Sequence, residues 1–270
     1  MTRLGPVAPV GPAPAPAPVL NRVPAVTGLF WVVKVLTTGM GETTSDFFVK
    51  RFPPEIVVPL ALLALVAVLL VQFRLRRYVA AVYWTAALMV SIFGTMAADV
   101  LHVGLGVPYV ASTAGFAVVL AGIFIVWWRT ERTLSVHAIT TRRRECFYWA
   151  TVLTTFALGT AAGDWTAVSL HLGYLASGVL FAVVIAIPAV AHRAFRLNAV
   201  LAFWAAYVVT RPLGASFADW LGVGPERGGL GIGTGPVSLA AFGVFVVLVA
   251  WLSIARRDVE PAPAAVATSA

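Results

Sequence analysis

Four aspartates in this chain stand at one fixed distance from a tryptophan. Phe30-Trp31, Tyr83-Trp84, Tyr148-Trp149 and Phe203-Trp204 are aromatic–Trp pairs, and fifteen residues after each Trp comes Asp46, Asp99, Asp164 or Asp219. Ten residues after each Trp comes a glycine (Gly41, Gly94, Gly159, Gly214), and the residue before each Asp is small (Ser45, Ala98, Gly163, Ala218). The same spacing four times over is an internal repeat rather than coincidence. Carboxylates at equivalent positions of parallel helices make a strongly negative patch. Such a patch binds cations, takes up protons, or pairs with bases. The plain alternative is a set of helix ends pointing into water, although a carboxylate is unfavourable at a helix C-terminus, where the macrodipole is already negative.

The first repeat is chemically the richest: Lys34-Val-Leu-Thr-Thr-Gly-Met-Gly-Glu42-Thr-Thr-Ser-Asp46. Glu42 and Asp46 are one turn apart on one helix face, and Thr38, Gly41 and Ser45 adjoin them. Hydroxyls and carboxylates are hard oxygen ligands, suited to Mg²⁺, Ca²⁺ or Mn²⁺. A metal site would draw on Asp46, Asp99, Asp164 and Asp219. His102 and His171, expected just beyond two helices on the same side, are weaker candidate nitrogen ligands, because a loop histidine is more often merely solvated. Lys34 and Arg211, the latter followed by Pro212, are the two bases expected inside helices, where they would balance charge. Five acids (Glu42 and the four aspartates) cannot all be neutralised by two bases, which favours a cation or proton role. Lys34 itself reads either as salt-bridged within the bundle or as part of a proton or anion path.

The elements that position these residues follow from composition. Of 270 residues, 60% are hydrophobic and 11% charged, against about 45–50% apolar and about 25% charged in soluble domains. The expected fold is an all-α integral membrane protein. Apolar segments of about 20 residues, enough to cross about 30 Å of hydrocarbon, give eight spans: 26–46, 54–73, 79–100, 107–128, 146–164, 172–191, 197–218 and 236–254. Pro59 and Pro188 fall inside two of them and should kink rather than end them. A two-helix period makes all four motif helices run the same way, so the eight helices form four parallel two-helix repeats, 23–77, 78–132, 142–196 and 197–257, each a helical hairpin. Repeats two and three also agree in their second helices, Tyr109-Val-Ala-Ser112 against Tyr174-Leu-Ala-Ser177. Parallel repeats of this kind occur in some transporter folds.

The Trp positions (Trp31, Trp84, Trp149, Trp204) suit inner-leaflet anchors. Each Gly with the small residue four later makes a small-xxx-small ridge for close helix packing. Residues 1–22 and 258–270, rich in Pro and Ala, read as disordered cytoplasmic tails. The glycine-rich stretch 221–235 reads as a connector rather than a cover over the acidic face.

The net charge of +8 is first a topology signal. Fourteen of the 19 basic residues lie on the tails or on loops following even-numbered helices, so the positive-inside rule places both termini in the cytoplasm. Anionic lipid headgroups are the expected partners, and nucleic acid is not needed. Self-association into a homo-oligomer stays open. The single cysteine, Cys146, excludes a disulfide framework. No cofactor is called for beyond a bound divalent cation.

The string Lys34-Val-Leu-Thr-Thr…Gly41-Glu42-Thr-Thr-Ser45-Asp46, with its preceding Phe30-Trp31, resembles a bacterial family labelled "uncharacterised membrane-anchored protein". The resemblance extends to the later Trp…Gly…Asp units. It implies a multi-pass protein of the bacterial cytoplasmic membrane and carries no activity. The leading expectation is a small secondary transporter for a divalent metal or other cation, proton-coupled or not. The alternative is a non-transporting accessory or scaffold protein whose motif serves helix packing. An enzyme or photoreceptor is not expected: a Gly-x-Gly-Asp protease string, histidines inside helices for haem, and a late-helix retinal lysine are all missing.

Overall fold

The computed structural model describes residues 20–259, and the parts of the expected tails at 1–19 and 260–270 lie outside the described residues. Among the described residues the chain forms eight α-helices and no strand. They are α1 (Gly28–Arg51), α2 (Pro54–Arg74), α3 (Ala80–Asp99), α4 (Tyr109–Glu131), α5 (Arg142–Asp164), α6 (Tyr174–Phe195), α7 (Ala199–Gly222) and α8 (Thr234–Ala255). Three of the motif-bearing odd helices begin on a side-chain cap. Thr27 accepts from the Phe30 amide, Thr141 from Arg144, and Asn198 from Val200 and Leu201, satisfying amides that have no partner within the helix. Pro59 and Pro188 lie inside α2 and α6, as their positions predict.

Six helices have the length and apolar composition to cross a membrane: α2, α3, α4, α6, α7 and α8. The remaining two, α1 and α5, are less apolar, because both are rich in threonine and glycine and α1 also carries Lys34, Glu42 and Asp46. The outward faces of α2, α4, α6 and α8 leave Leu63, Val118, Val183 and Val247 more than half exposed. Apolar surface of that extent is unlike the surface of a soluble monomer.

The odd helices form the inside of the molecule. α1 packs on α3, α3 on α5, α5 on α7, and α7 back on α1, closing a four-membered ring. The motif glycines make this closure, each at a contact with the next ring helix. A Cβ at Gly41 would strike Ser91 of α3, and one at Gly94 would lie 2.8 Å from Phe156 Cβ of α5. One at Gly159 would lie 2.9 Å from Pro212 Cδ of α7, and one at Gly214 would lie 2.8 Å from Thr38 Cβ of α1. The residues met at these contacts, Ser91, Phe156, Arg211 and Thr38, each stand three positions before the glycine of their own repeat. The ring therefore has fourfold pseudosymmetry down to the residue.

The even helices pack differently from the expected hairpins. α2 packs mainly on α3, α4 on α5, α6 on α7, and α8 on α1. Each return helix thus leaves its own repeat to cover the first helix of the following one, and the last covers the first. The shifted pairing ties each repeat to the next and the chain end to the chain start.

The aromatic–Trp pairs pack at one end of the ring, which the aspartates leave for the other end. Phe30 stacks toward Trp84 and Phe203, Tyr83 toward Trp149, and Tyr148 toward Trp204. The Tyr83 and Tyr148 hydroxyls lie 2.5 Å apart. Trp84, Trp149 and Trp204 are buried, and Trp31 is half-buried. The expected anchoring role is corrected here: these rings face protein, filling the spaces between neighbouring ring helices rather than the surface of the bundle.

The expected tail boundaries also move. Arg22 is buried and pairs with the fully buried Glu145 at 2.6 Å, while Gln72 donates to the other Glu145 oxygen at 2.8 Å. Asp258 is buried, accepts from the Tyr78 hydroxyl, and its backbone carbonyl accepts from the Ala25 amide at 2.8 Å. Both ends of the described chain are stitched into the aromatic end of the bundle by charges that need buried partners.

Candidate functional site

The helices run past their aspartates, which corrects the picture of carboxylates at helix C-termini. α1 continues from Asp46 to Arg51, and α7 from Asp219 to Gly222. α3 and α5 continue beyond Asp99 and Asp164 as π-helical turns, Val100–Gly104 and Trp165–Ser169. In α1, α3 and α5 the helical backbone thus continues about a turn beyond the carboxylate, and after Asp219 the Trp220 and Leu221 carbonyls accept from the Leu230 and Ile232 amides, so the unfavourable dipole contact is lessened. Glu42, Asp46, Asp99, Asp164 and Asp219 all line one cavity of about 450 Å³ at this end. Lys50, Glu55, Tyr109, Tyr174 and Arg227 complete its polar wall, with Met96, Val58 and Val168 among the apolar residues.

The floor of this vestibule is an ion pair on the ring axis. Arg211, fully buried, places Nη2 2.5 Å from Glu42 Oε2 and 2.8 Å from Thr160 Oγ1, and also donates to Thr95 Oγ1. Its Nη1 donates to the Thr38 carbonyl at 3.1 Å. Glu42, Thr95 and Thr160 each follow the motif glycine of their repeat, whereas the fourth repeat has Ala215 there. Three repeats thus present a polar side chain to the guanidinium that the fourth repeat supplies. Of the two expected charge-balancing residues, Arg211 meets an acid.

Lys34 does not. It is buried, its amine lies 4.0 Å from the Phe156 ring centroid and 4.4 Å from that of Tyr207, and no hydrogen-bond acceptor reaches it among the described residues. The salt-bridge reading of Lys34 is corrected: its amine packs against two aromatic faces.

At the open end Asp46 pairs with Lys50 at 2.5 Å, one turn on. The stretch after α7 folds back on itself: Leu230, Gly231 and Ile232 amides donate to the Trp220, Val223 and Leu221 carbonyls. It brings Arg227 to the cavity wall, 2.6 Å from the Tyr174 hydroxyl. The stretch read as a connector thereby supplies part of the site. Asp99, Asp164 and Asp219 have neither an ion pair nor a side-chain hydrogen bond among the described residues. The cavity therefore holds three carboxylates without a direct counter-charge.

His102 lies in the π-helical turn after Asp99 and is buried, not solvated. One ring nitrogen and single oxygens of Asp99 and Asp164 all lie within 4.8 Å of one another. Nε2 is 2.6 Å from Ser112 Oγ, and the ring packs 4.4 Å from that of Tyr109. His171 is exposed and outside this group. Tyr109, Ser112, Tyr174 and Arg227 escaped the reading of the sequence as site residues, although the Tyr-x-Ala-Ser match between repeats two and three marked both tyrosines.

The family model described as Repeat of Unknown Function (DUF347) matches four successive stretches, 29–78, 82–133, 147–197 and 202–258. The chain belongs to this family. Each matched DUF347 unit begins one residue before an aromatic–Trp pair, so the family repeat and the ring symmetry share one register. Each DUF347 unit contributes one ring helix, one closure glycine and one vestibule aspartate. Neither a curated protein nor a solved structure matches the chain.

Proposed function

We propose that the chain is a small secondary transporter that moves a divalent metal or another cation across a bacterial cytoplasmic membrane in exchange for protons. The observation that carries this reading is the convergence of Glu42 and all four repeat aspartates on one cavity. A protein using the motif only for packing has no need to gather five acids into one space and leave three of them unpaired. Six long apolar helices and the broad apolar periphery suit a multi-pass protein, and the distribution of basic residues supports both termini inside. On this reading the vestibule faces outward. A cation entering it exchanges with protons on Asp99, Asp164 and Asp219 and competes with Arg211 for Glu42. Arg211 is then the tethered counter-ion that neutralises the floor when cargo leaves.

The test is to change Glu42 to Gln and each aspartate to Asn singly, and to measure metal accumulation in cells. Altered accumulation in the Asp99, Asp164 or Asp219 variants at normal protein level is expected. Unchanged accumulation in all five would end the transport reading. The scaffold reading has one observation of its own: the motif glycines are fully accounted for by ring closure. It predicts that the acid variants change nothing while glycine variants destroy assembly.

A further inference from the structure

The vestibule is fourfold in its aspartates but not in its surroundings, and the departure from symmetry is at α3 and α5. These two ring helices alone end in π-helical turns, a feature that recurs at functional sites because it re-aims side chains at the end of a helix. The turn after Asp99 carries His102, for which the other repeats have Val49, Ala167 and Gly222. We propose that Asp99, His102 and Asp164 form a three-ligand site that selects divalent transition metals over Mg²⁺ and Ca²⁺. As the place where cargo is chosen, it rests on the transport reading; as a binding site, it stands on the geometry alone.

Three observations support it. The ligand atoms lie within 4.8 Å of one another, so drawing them onto a metal with bonds of about 2.0–2.2 Å needs side-chain shifts of about 1 Å. His102 is only 8% exposed, and its Nδ1 is buried with no hydrogen-bond partner among the described residues. A buried orphaned nitrogen is costly, and a metal would satisfy it. Meanwhile Ser112 holds Nε2 and Tyr109 holds the ring face, the outer support that metal-ligating histidines ordinarily have. Finally, both carboxylates lack a base, unlike Asp46 and Glu42, so a divalent ion would neutralise the pair. One imidazole with two carboxylates is a donor set that suits Mn²⁺, Fe²⁺, Co²⁺ or Zn²⁺, whereas Mg²⁺ and Ca²⁺ prefer oxygen alone. Asp99 and Asp164 also line the vestibule, so an ion on them would be reachable from it, as an exchangeable cargo requires.

The experiment loads purified full-length protein in detergent with Co²⁺, follows its visible absorption, and titrates Zn²⁺, Mn²⁺, Mg²⁺ and Ca²⁺ in competition. Displacement by Zn²⁺ or Mn²⁺ but not by about a hundredfold excess of Mg²⁺ is expected for a nitrogen-containing site. Ser112→Ala should weaken Co²⁺ binding about 10–100-fold, His102→Gln at least as much, and Asp46→Asn by less than either. Equal displacement by Mg²⁺, or wild-type affinity in His102→Gln, would overturn the site. Should His102→Gln fail to fold, pulsed electron paramagnetic resonance on Mn²⁺-loaded wild-type protein decides: imidazole nitrogen coupling supports the site and its absence refutes it. Selective Co²⁺ binding in a protein whose acid variants leave cellular accumulation untouched would uphold the site and end the transport reading. Accumulation that responds to the acids, with no metal selectivity in vitro, would do the reverse.

Discussion

Glu42 and Arg211, 169 residues apart in the chain, form a buried ion pair with 2.5 Å between Oε2 and Nη2. The pair joins the first ring helix to the last and closes the vestibule floor at the ring axis. Thr95 and Thr160 supply the further hydrogen bonds that such a pair needs when it is removed from water.

Removing one partner should therefore be worse than removing both. Arg211→Met leaves Glu42 buried and uncompensated and should lower stability by about 3–5 kcal/mol. The double variant Arg211→Met with Glu42→Gln should recover most of that loss. Thermal unfolding in detergent of the two single variants and the double variant measures the coupling. Simple additivity would show that the pair does not bridge the ring.

Ring closure makes a second prediction that needs no charge. A methyl group at Gly159 meets Arg211 and the rigid Pro212 ring, while one at Gly122 in α4 meets nothing within 4 Å. Gly159→Ala should destabilise by about 1–3 kcal/mol, the range for overpacking. Gly122→Ala should be neutral or slightly stabilising, since alanine is the better helix former. Equal melting temperatures for the two would contradict the glycine-lined α5–α7 contact.

Much of this arrangement was legible in the residues, and what was not has a physical reason. The Trp…Gly…Asp spacing shows that four equivalent helices exist and that Gly41, Gly94, Gly159 and Gly214 permit close approach. It is silent on which helix approaches, because hydropathy separates outward-facing from inward-facing residues but does not name a neighbour. Hence the shift of α2 onto α3 went unread. Arg22 was hidden by the Pro-rich composition beside it, since its partner Glu145 lies in another repeat. His102 reads as a loop residue because a π-helical turn leaves no hydropathy signature and Val100 to Gly104 continue a helix whose expected end is Val100. For Lys34 the sequence leaves a salt bridge and a proton or anion path open, and in place of an acid the structure sets the aromatic faces of Phe156 and Tyr207.

At the aromatic end, Asp258 gives a pH dependence. Burial raises its carboxyl above the usual aspartate range, and the hydrogen bond from Tyr78 offsets this only in part. A raised carboxyl favours the folded state when protonated. Its contribution is therefore full below the ordinary aspartate value near about 4 and is lost as pH rises through the folded value. Asp258→Asn removes that dependence. Melting temperatures between pH 4 and 8 should fall more with rising pH in the wild type than in Asp258→Asn, and parallel curves would refute the assignment.

Lys34 separates stability from function most sharply. Its amine is buried without an acid or a hydrogen-bond acceptor among the described residues, packed only against two ring faces. A cation in that setting gains about 2 kcal/mol from desolvated cation–π contact, which is less than the several kcal/mol that burying an ion costs. Methionine has nearly the same length and keeps a favourable sulfur–aromatic contact. Lys34→Met should therefore leave the melting temperature unchanged or raise it, as replacement of buried charge by a packed apolar group often does. If the charge is retained for transport, the same variant should depress metal accumulation in cells at normal protein level. A variant that melts well below the wild type would show that the cation stabilises the ring, and one that accumulates metal normally would show that Lys34 takes no part in moving cargo.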